Sequence, residues 1–504
     1  VQVLALLLFL VVFVYTSGQR PQRFWADLFS RLDPLLMLTA TLAGRALVGG
    51  LALAAITLAL TLVFGRVWCG WFCPLGTILE WLRPHRFRHK APSEKWRALK
   101  YLLLLAIVVA AILGNQTLIV FDPITILNRT LTAAIWPSLR YAIVSIEAFL
   151  YEFSPLWGPL DAVHNAIVQP VFQDVQPVYS LAVLIALLFV ALVALNWWAE
   201  RFWCRYLCPL GGLLGLLSKL SLVRRGVESE CALCARCTHQ CPTGTIDPTD
   251  SYRSDPAECL VCYDCLTDCT REGIGFHWQL RHWRPASWRR YDPSRRQALA
   301  AVGASLAGVA LAGAEPITLR QPATMIRPPG ATADFGSLCI RCSACARVCP
   351  TQGLQPSLFQ GGVQNLFTPR LVPRLGYCSF NCNACGQVCP TGAIPALSLE
   401  EKQLTPIGLA SIDQSRCLPW AHTIACIVCE EACPVADKAI QLDEVKAVNA
   451  HGEVVLLQRP RVVKELCIGC GICEYQCPMG GESAVRIYAP TEAGGYLGAL
   501  PPTS

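Results

Sequence analysis

The 28 cysteines of this 504-residue chain are its most reactive side chains, and their spacing decides which chemistry they serve. Twenty-four of them fall into six groups of four. Four groups follow C-x2-C-x2-C-x3-C: Cys231, Cys234, Cys237, Cys241; Cys259, Cys262, Cys265, Cys269; Cys339, Cys342, Cys345, Cys349; and Cys467, Cys470, Cys473, Cys477. Two are stretched in the first gap: Cys378, Cys382, Cys385, Cys389 has x3 there, and Cys417, Cys426, Cys429, Cys433 has x8. Proline follows the fourth cysteine of every group except the second, where Thr270 stands. Such a run wraps three corners of a [4Fe-4S] cubane and sends its fourth thiolate to a partner cluster. Zinc sites draw two pairs from separated knuckles, and a disulfide framework would have to break the pattern of quartets. Six [4Fe-4S] clusters are expected, with all 24 cysteines as ligands. The first two runs pair as Cys231, Cys234, Cys237 with Cys269, and Cys259, Cys262, Cys265 with Cys241. In the last four runs either neighbours pair, or the arrangement is nested; nesting is favoured because the two regular runs are outermost.

The remaining cysteines form a duplicated motif, Arg66-Val-Trp-Cys69-Gly-Trp-Phe-Cys73-Pro74-Leu-Gly76 and Arg201-Phe-Trp-Cys204-Arg-Tyr-Leu-Cys208-Pro209-Leu-Gly211. If a helix continues through each copy, cysteines at i and i+4 put both sulfurs on one face. Cys69, Cys73, Cys204 and Cys208 then converge as a redox or metal site. The alternative is a helix end stopped by proline, with inert buried thiols; spacing leaves both open. Arg66 and Arg201 could steady anionic species there, although arginines beside a membrane are more often positive-inside anchors.

The elements that position these groups start from composition. The chain is 53% hydrophobic and 15% charged, which predicts a membrane protein with soluble parts. Apolar runs at Val1 to Tyr15, about Leu47 to Phe64, Tyr101 to Val120 and about Val178 to Trp197 approach the ~20 residues that cross a bilayer. The chain opens on Val1 rather than Met, so its start is read as lost. Arg83, Arg86, Arg88, Lys90, Lys95, Arg97 and Lys100 follow the second run, and Arg201, Arg205, Lys219, Arg224 and Arg225 follow the fourth. Both loops are therefore expected in the cytoplasm, and residues 121–177 form a long loop on the other side. Net charge is only +7 and dispersed over short loops, which favours a membrane surface over nucleic acid. No histidine lies in the four runs and there is no C-x-x-C-H, so no haem is expected.

Residues 282–296 are basic, and Ser294-Arg295-Arg296-Gln297-Ala298-Leu299 opens an Ala-rich stretch ending in Ala312-Gly313-Ala314. This resembles a twin-arginine export signal; the plain alternative is a basic linker before an ordinary helix. Export would leave residues 223–296 cytoplasmic and place those beyond about Glu315 in the periplasm, held by a fifth span or released by cleavage. The expected fold is an α-helical membrane domain of four spans in two parallel hairpin repeats (1–222), joined to α+β ferredoxin-like domains. These are a two-cluster domain (223–275), a linker with the apolar segment (276–316), a four-cluster domain (317–489) and a tail (490–504).

On these residues the chain up to about 275 resembles the NapH ferredoxin-type membrane proteins, through the four runs, the paired C-x3-C-P motifs, Phe121-Asp122-Pro123 and the first two cluster motifs. Residues 294 to about 488 are similar to NapG and MauM, through the twin-arginine-like start and four motifs with stretched second and third groups. The C-x3-C-P pair also occurs in NosR-like proteins, but no flavin-attachment segment is found here. The resemblance implies a multi-pass inner-membrane electron-transfer subunit acting as a quinol dehydrogenase. It would take electrons from the quinol pool and pass them to a periplasmic reductase or cytochrome, as in nitrate-reductase systems. The alternatives are a maturation factor for a partner oxidoreductase and a cytoplasmic polyferredoxin-type donor. No catalytic nucleophile, base or substrate pocket is expected.

Overall fold

The structure, a computed structural model, describes residues 1–17, 27–82, 92–172, 177–229, 231–269, 271, 273–278, 293–313, 325–332, 335–448 and 452–489. Arg83 to Lys90, the Ala314 cleavage position and the 490–504 tail lie outside the described residues.

The four apolar runs form helices α1 (Gln2–Tyr15), α2 (Leu51–Phe64), α3 (Ala98–Ile112) and α4 (Ala182–Ala194). They have 14, 14, 15 and 13 residues and are shorter than the runs themselves. Gly114 at φ +80°, followed by Asn115, ends α3 early, because glycine adopts the left-handed conformation at no steric cost. Among the described residues, the helix long and apolar enough to cross a membrane by length and composition is Pro123–Leu150, of 28 residues. The expectation of a loop over 121–177 is therefore corrected. Asp122 caps the helix by accepting from the Ile124 and Thr125 amides at 2.9 and 3.0 Å, with Pro123 at its first position. What reads in sequence as a turn before proline is a helix start. Pro137 does not break the helix, because a π turn over Leu131–Ile135 absorbs it. Asp33 and Pro34 repeat the device for a further helix, Pro34–Gly44, buried in the bundle.

The helices α1, α3 and α4 each join two different surroundings. Gln2 at the start of α1 donates to the Gly70 carbonyl, and Thr16 just past its end accepts from Arg347. Lys100 in the first turn of α3 pairs with Glu258, and Gln116 beyond its end accepts from Arg341. Tyr179 before α4 donates to the Ala346 carbonyl, while Asn196 after it donates to that of Leu79. Residues 223–278 thus cap one end of the bundle and residues 325–489 the other. The 15-residue α3 makes these ends roughly 22 Å apart. The twin-arginine-like segment is a 19-residue helix, α5 (Arg295–Gly313), lying along α3.

The caps are built from short antiparallel ladders. In the first cap β1 (Val223–Val227) pairs with β2 (Ile274–Trp278), register Val223↔Trp278. In the second, β3 (Leu409–Ile412) pairs with β6 (Val485–Tyr488), and β4 (Ile440–Val448) with β5 (Val454–Val462).

Candidate iron-sulfur centres

The regular runs share one backbone solution. The middle cysteine of each first triple is flanked by left-handed residues: Leu233 and Ala235, Val261 and Tyr263, Arg341 and Ser343, and Gly469 and Gly471, all with φ between +54° and +82°. Alternating the backbone in this way turns successive N–H groups into a concavity that suits an anion such as a thiolate-bound cluster. Non-glycine residues pay about 1–2 kcal/mol for this conformation, so six of them in three loops mark a geometry imposed by what the loops hold. A one-turn helix then carries the third cysteine, as Arg236–Gln240 carries Cys237 and Asp264–Thr267 carries Cys265.

The quartets surround cavities. Cys231, Cys234, Cys237 and Cys269 line one, and Cys259, Cys262, Cys265 and Cys241 the next. This is the pairing expected from the spacing. In the other cap Cys339, Cys342, Cys345 and Cys389 line one cavity, and Cys378, Cys382, Cys385 and Cys349 another. The last two runs follow suit: Cys417 and Cys429 lie in the field of Cys477, and Cys467, Cys470 and Cys473 in that of Cys433, with Cys429 also near Cys473. Neighbouring runs therefore cross-pair, and the nested arrangement is corrected. The reason is local. A fourth cysteine ends a single helical turn, and only the adjacent run is within its reach. The x8 insertion serves packing: its turn Leu418–His422 lays Trp420 against Arg459 of the β4–β5 hairpin, 4.7 Å from guanidinium to ring centre. Cys378 donates its amide to the Cys470 carbonyl at 2.8 Å, which joins the second run to the fourth. The spatial order of the runs is thus first, second, fourth, third. The first lies against the bundle, where Cys342 shares a core with Leu36 and Met37.

Among the described residues no three His, Cys, Asp or Glu side chains are grouped to hold a single ion. Burial pushes the Cys259 thiol up to about 12 and those of Cys378 and Cys417 up to about 11. Metal must therefore displace firmly held protons there. Arg225, on β1, donates to the Tyr252 carbonyl at 2.7 Å, and its charge acts on Cys237, Cys259 and Cys265. It supplies a cation between two centres that would each be anionic. Gly469 has no room for a side chain, since a Cβ there would lie 2.3 Å from the Gly408 carbonyl oxygen. Gly469→Ala is expected to lose the fourth run's centre, one cluster's worth of iron, with the other centres retained. Left-handed alanine is tolerated at Ala235, so the collision and not φ decides the outcome. Iron analysis of the purified variant checks it.

The duplicated motifs also converge. Cys69, Cys73, Cys204 and Cys208 are buried in one core cluster. No α-helix runs through them: π turns over Trp68–Phe72 and Trp203–Leu207 break at Cys73 and Cys208, which cap the helices Pro74–Trp81 and Pro209–Ser218. The Gly211 amide donates to the Cys208 sulfur at 3.2 Å. Arg66 and Arg201 are not surface anchors, being 1% and 2% exposed. Arg66 donates to the Ala257 carbonyl at 2.9 Å and lies 4.0 Å from the Cys69 sulfur; Arg201 pairs with Glu80 at 2.5 Å.

Sequence reasoning missed a hub. Glu258, fully buried, meets Lys100 at 2.5 Å, Arg97 at 3.5 Å and Arg66 at 3.7 Å. Lys100 and Arg97, counted above as loop cations, are buried with it. The available signal was a lone carboxylate beside Cys259, opposite cations at the mouth of an apolar run.

The 4Fe-4S binding domain family matches residues 47–92 and 180–228, which hold the duplicated motifs. The 4Fe-4S dicluster domain family matches residues 338–393, and a second 4Fe-4S binding domain family residues 460–481. The methylamine utilization ferredoxin-type protein MauM of Methylorubrum extorquens is 35% identical over 211 residues, 40% of this chain and 92% of that protein. The ferredoxin-type protein NapG of Escherichia coli is 34% identical over 199 residues, 39% of this chain and 84% of NapG. No solved structure matches the chain significantly. With its cysteine quartets cross-paired around cavities and its 4Fe-4S domains matched, the chain belongs to the MauM/NapG family of iron-sulfur, ferredoxin-type electron-transfer proteins.

Proposed function

We propose that this chain is a multi-pass membrane protein that draws electrons from quinol and delivers them, through six [4Fe-4S] clusters held by the six cysteine quartets, to a redox protein in the periplasm. When bound, the clusters supply one-electron carriage. The chain's part is to hold them, exclude water and set their potentials through burial, amide donors and Arg225. The observation that carries the reading is the placement of two cysteine-quartet caps at opposite ends of one apolar bundle, with α3 reaching both: Lys100 in its first turn pairs with Glu258 of one, and Gln116 past its end accepts from Arg341 of the other. The bundle's outside supports a lipid setting: on α4 the exposed residues Val183, Leu187 and Val190 recur at helical spacing, as Leu4, Leu7 and Val11 do on α1.

In this reading residues 1–222 are the NapH-like membrane module, with residues 223–296 on the cytoplasmic side and the four-cluster domain on the periplasmic side. The helix α5, lying along α3, is a fifth span that returns the chain across the membrane. The four buried thiols of the duplicated motifs form a redox or metal site at the cytoplasmic end of the bundle, and the third-run cluster, last in spatial order, is the exit toward the partner.

The test is reduction in sealed vesicles. Decylubiquinol is expected to bleach the visible cluster absorbance of the reconstituted protein, and externally added protease to remove one cap only. Clusters that dithionite reduces and quinol does not would instead indicate a maturation factor. Both caps on one side would indicate a cytoplasmic donor.

A further inference from the structure

One large cavity lies outside the cavities that the quartets enclose. A cleft of about 820 Å³ opens where α2 meets the first cap, within the size range of small-molecule sites. Phe64 and Gly65, at the end of α2, line it together with Val261 and with Phe276 of β2; serines at 221, 229, 251 and 254 supply hydroxyls. Cys231 and Cys259 both border it, one from each quartet of the cap.

We infer that this cleft is the quinol headgroup site, an assignment that rests on the quinol reading above. Three features select that ligand class. A quinol gives up two electrons, whereas a [4Fe-4S] cluster takes one at a time, and this cleft borders a ligand of each of two quartets. Its rim is part of the bundle end, with Phe64 exposed and edge-on to Trp278 at 6.2 Å, so an apolar tail has a route to lipid while the ring lies between aromatic side chains. Two of its cations have backbone acceptors: Arg224 donates to the carbonyls of Ser221 and Lys219, and Arg225 to that of Tyr252. Glu228 and Asp250 share the lining with Arg253, and Glu228 pairs with His277 at 2.5 Å. A neutral, hydroxyl-bearing ring fits this lining better than an anion does. The step balances: both quinol O–H bonds break, two protons leave to water at the open mouth, and one electron goes to each quartet's cluster, leaving quinone.

The test uses the full-length protein in membranes with a photoreactive azidoquinone and with decylubiquinol. The label is expected on peptides spanning 221–229 or 250–261. Ser254→Trp and Ser229→Trp, which fill the cleft from two directions, are each expected to cut labelling and to slow reduction by decylubiquinol at least about tenfold. Iron content and the dithionite-reduced spectrum report whether each variant is folded and loaded. Labelling elsewhere, or loaded variants reduced as fast as wild type, overturns the site and leaves the quinol reading standing. Wild type that dithionite reduces and decylubiquinol does not overturns that reading itself.

Discussion

Glu258→Gln is expected to destabilise the protein by about 3–5 kcal/mol, the usual cost of removing one partner from a buried ion cluster. Lys100, Arg97 and Arg66 all meet this carboxylate in a site without solvent. The two arginines have other acceptors: Arg66 reaches the Ala257 carbonyl, and Arg97 those of Thr243 and Gly244. Lys100 donates to the two oxygens of Glu258, so it is the cation left most exposed to desolvation cost when the charge goes. The damage is functional as well, because these contacts clamp both runs of the first cap onto the bundle: Ala257 precedes Cys259, and Thr243 follows Cys241. The variant is expected to unfold at a markedly lower temperature in detergent and to lose iron from the first cap before the second. Adding Lys100→Met should recover a substantial part of the loss, since the double change removes a cation as well as its counter-charge. A double variant no more stable than Glu258→Gln would show that the hub is not what binds the cap.

This hub also shows where the sequence stopped being legible. The cysteine runs could be read because a cluster loop is local: in a regular run three ligands lie within seven residues, and the backbone turns on residues between them. The cross-pairing of the first two runs followed from the same locality. The nested pairing of the last four runs failed because regularity of spacing was treated as evidence of distance, when the reach of a single helical turn is what matters. Lys100 and Arg97 were misplaced because charge counting beside an apolar run cannot distinguish a lysine in water from one facing a carboxylate more than 150 residues away. The helix Pro123–Leu150 was missed for a different reason. Asp122-Pro123 and Pro137 look like breakers, yet one is a cap and the other sits behind a π turn. The π turns of the duplicated motifs likewise could not be read from i, i+4 spacing. That spacing brought the right thiols together through the wrong helix.

The crossed pairing in the second cap makes the sharpest quantitative prediction, because it assigns cysteines far apart in sequence to one centre. Cys342 and Cys389 border the same cavity, whereas Cys385, only four residues before Cys389, borders the other. Cys342→Ser and Cys389→Ser are each expected to forfeit one cluster's worth of iron, and the double variant to forfeit no more than either alone. Cys342→Ser with Cys385→Ser should forfeit two. Groups that act as one unit are non-additive, and groups in separate units add. Under nesting, Cys389 would serve a cluster of the third run, and the first double variant would lose two clusters. Iron and acid-labile sulfide per chain, with the dithionite-reduced spectrum of each variant, separate the two patterns. The result bears on the electron route. Crossing ties the first and second runs into one rigid pair against the bundle, the Cys378 to Cys470 bond passes the chain of centres to the fourth run, and Cys433 and Cys477 cross to bring in the third. In the proposed electron route each hop would then be made between neighbouring centres.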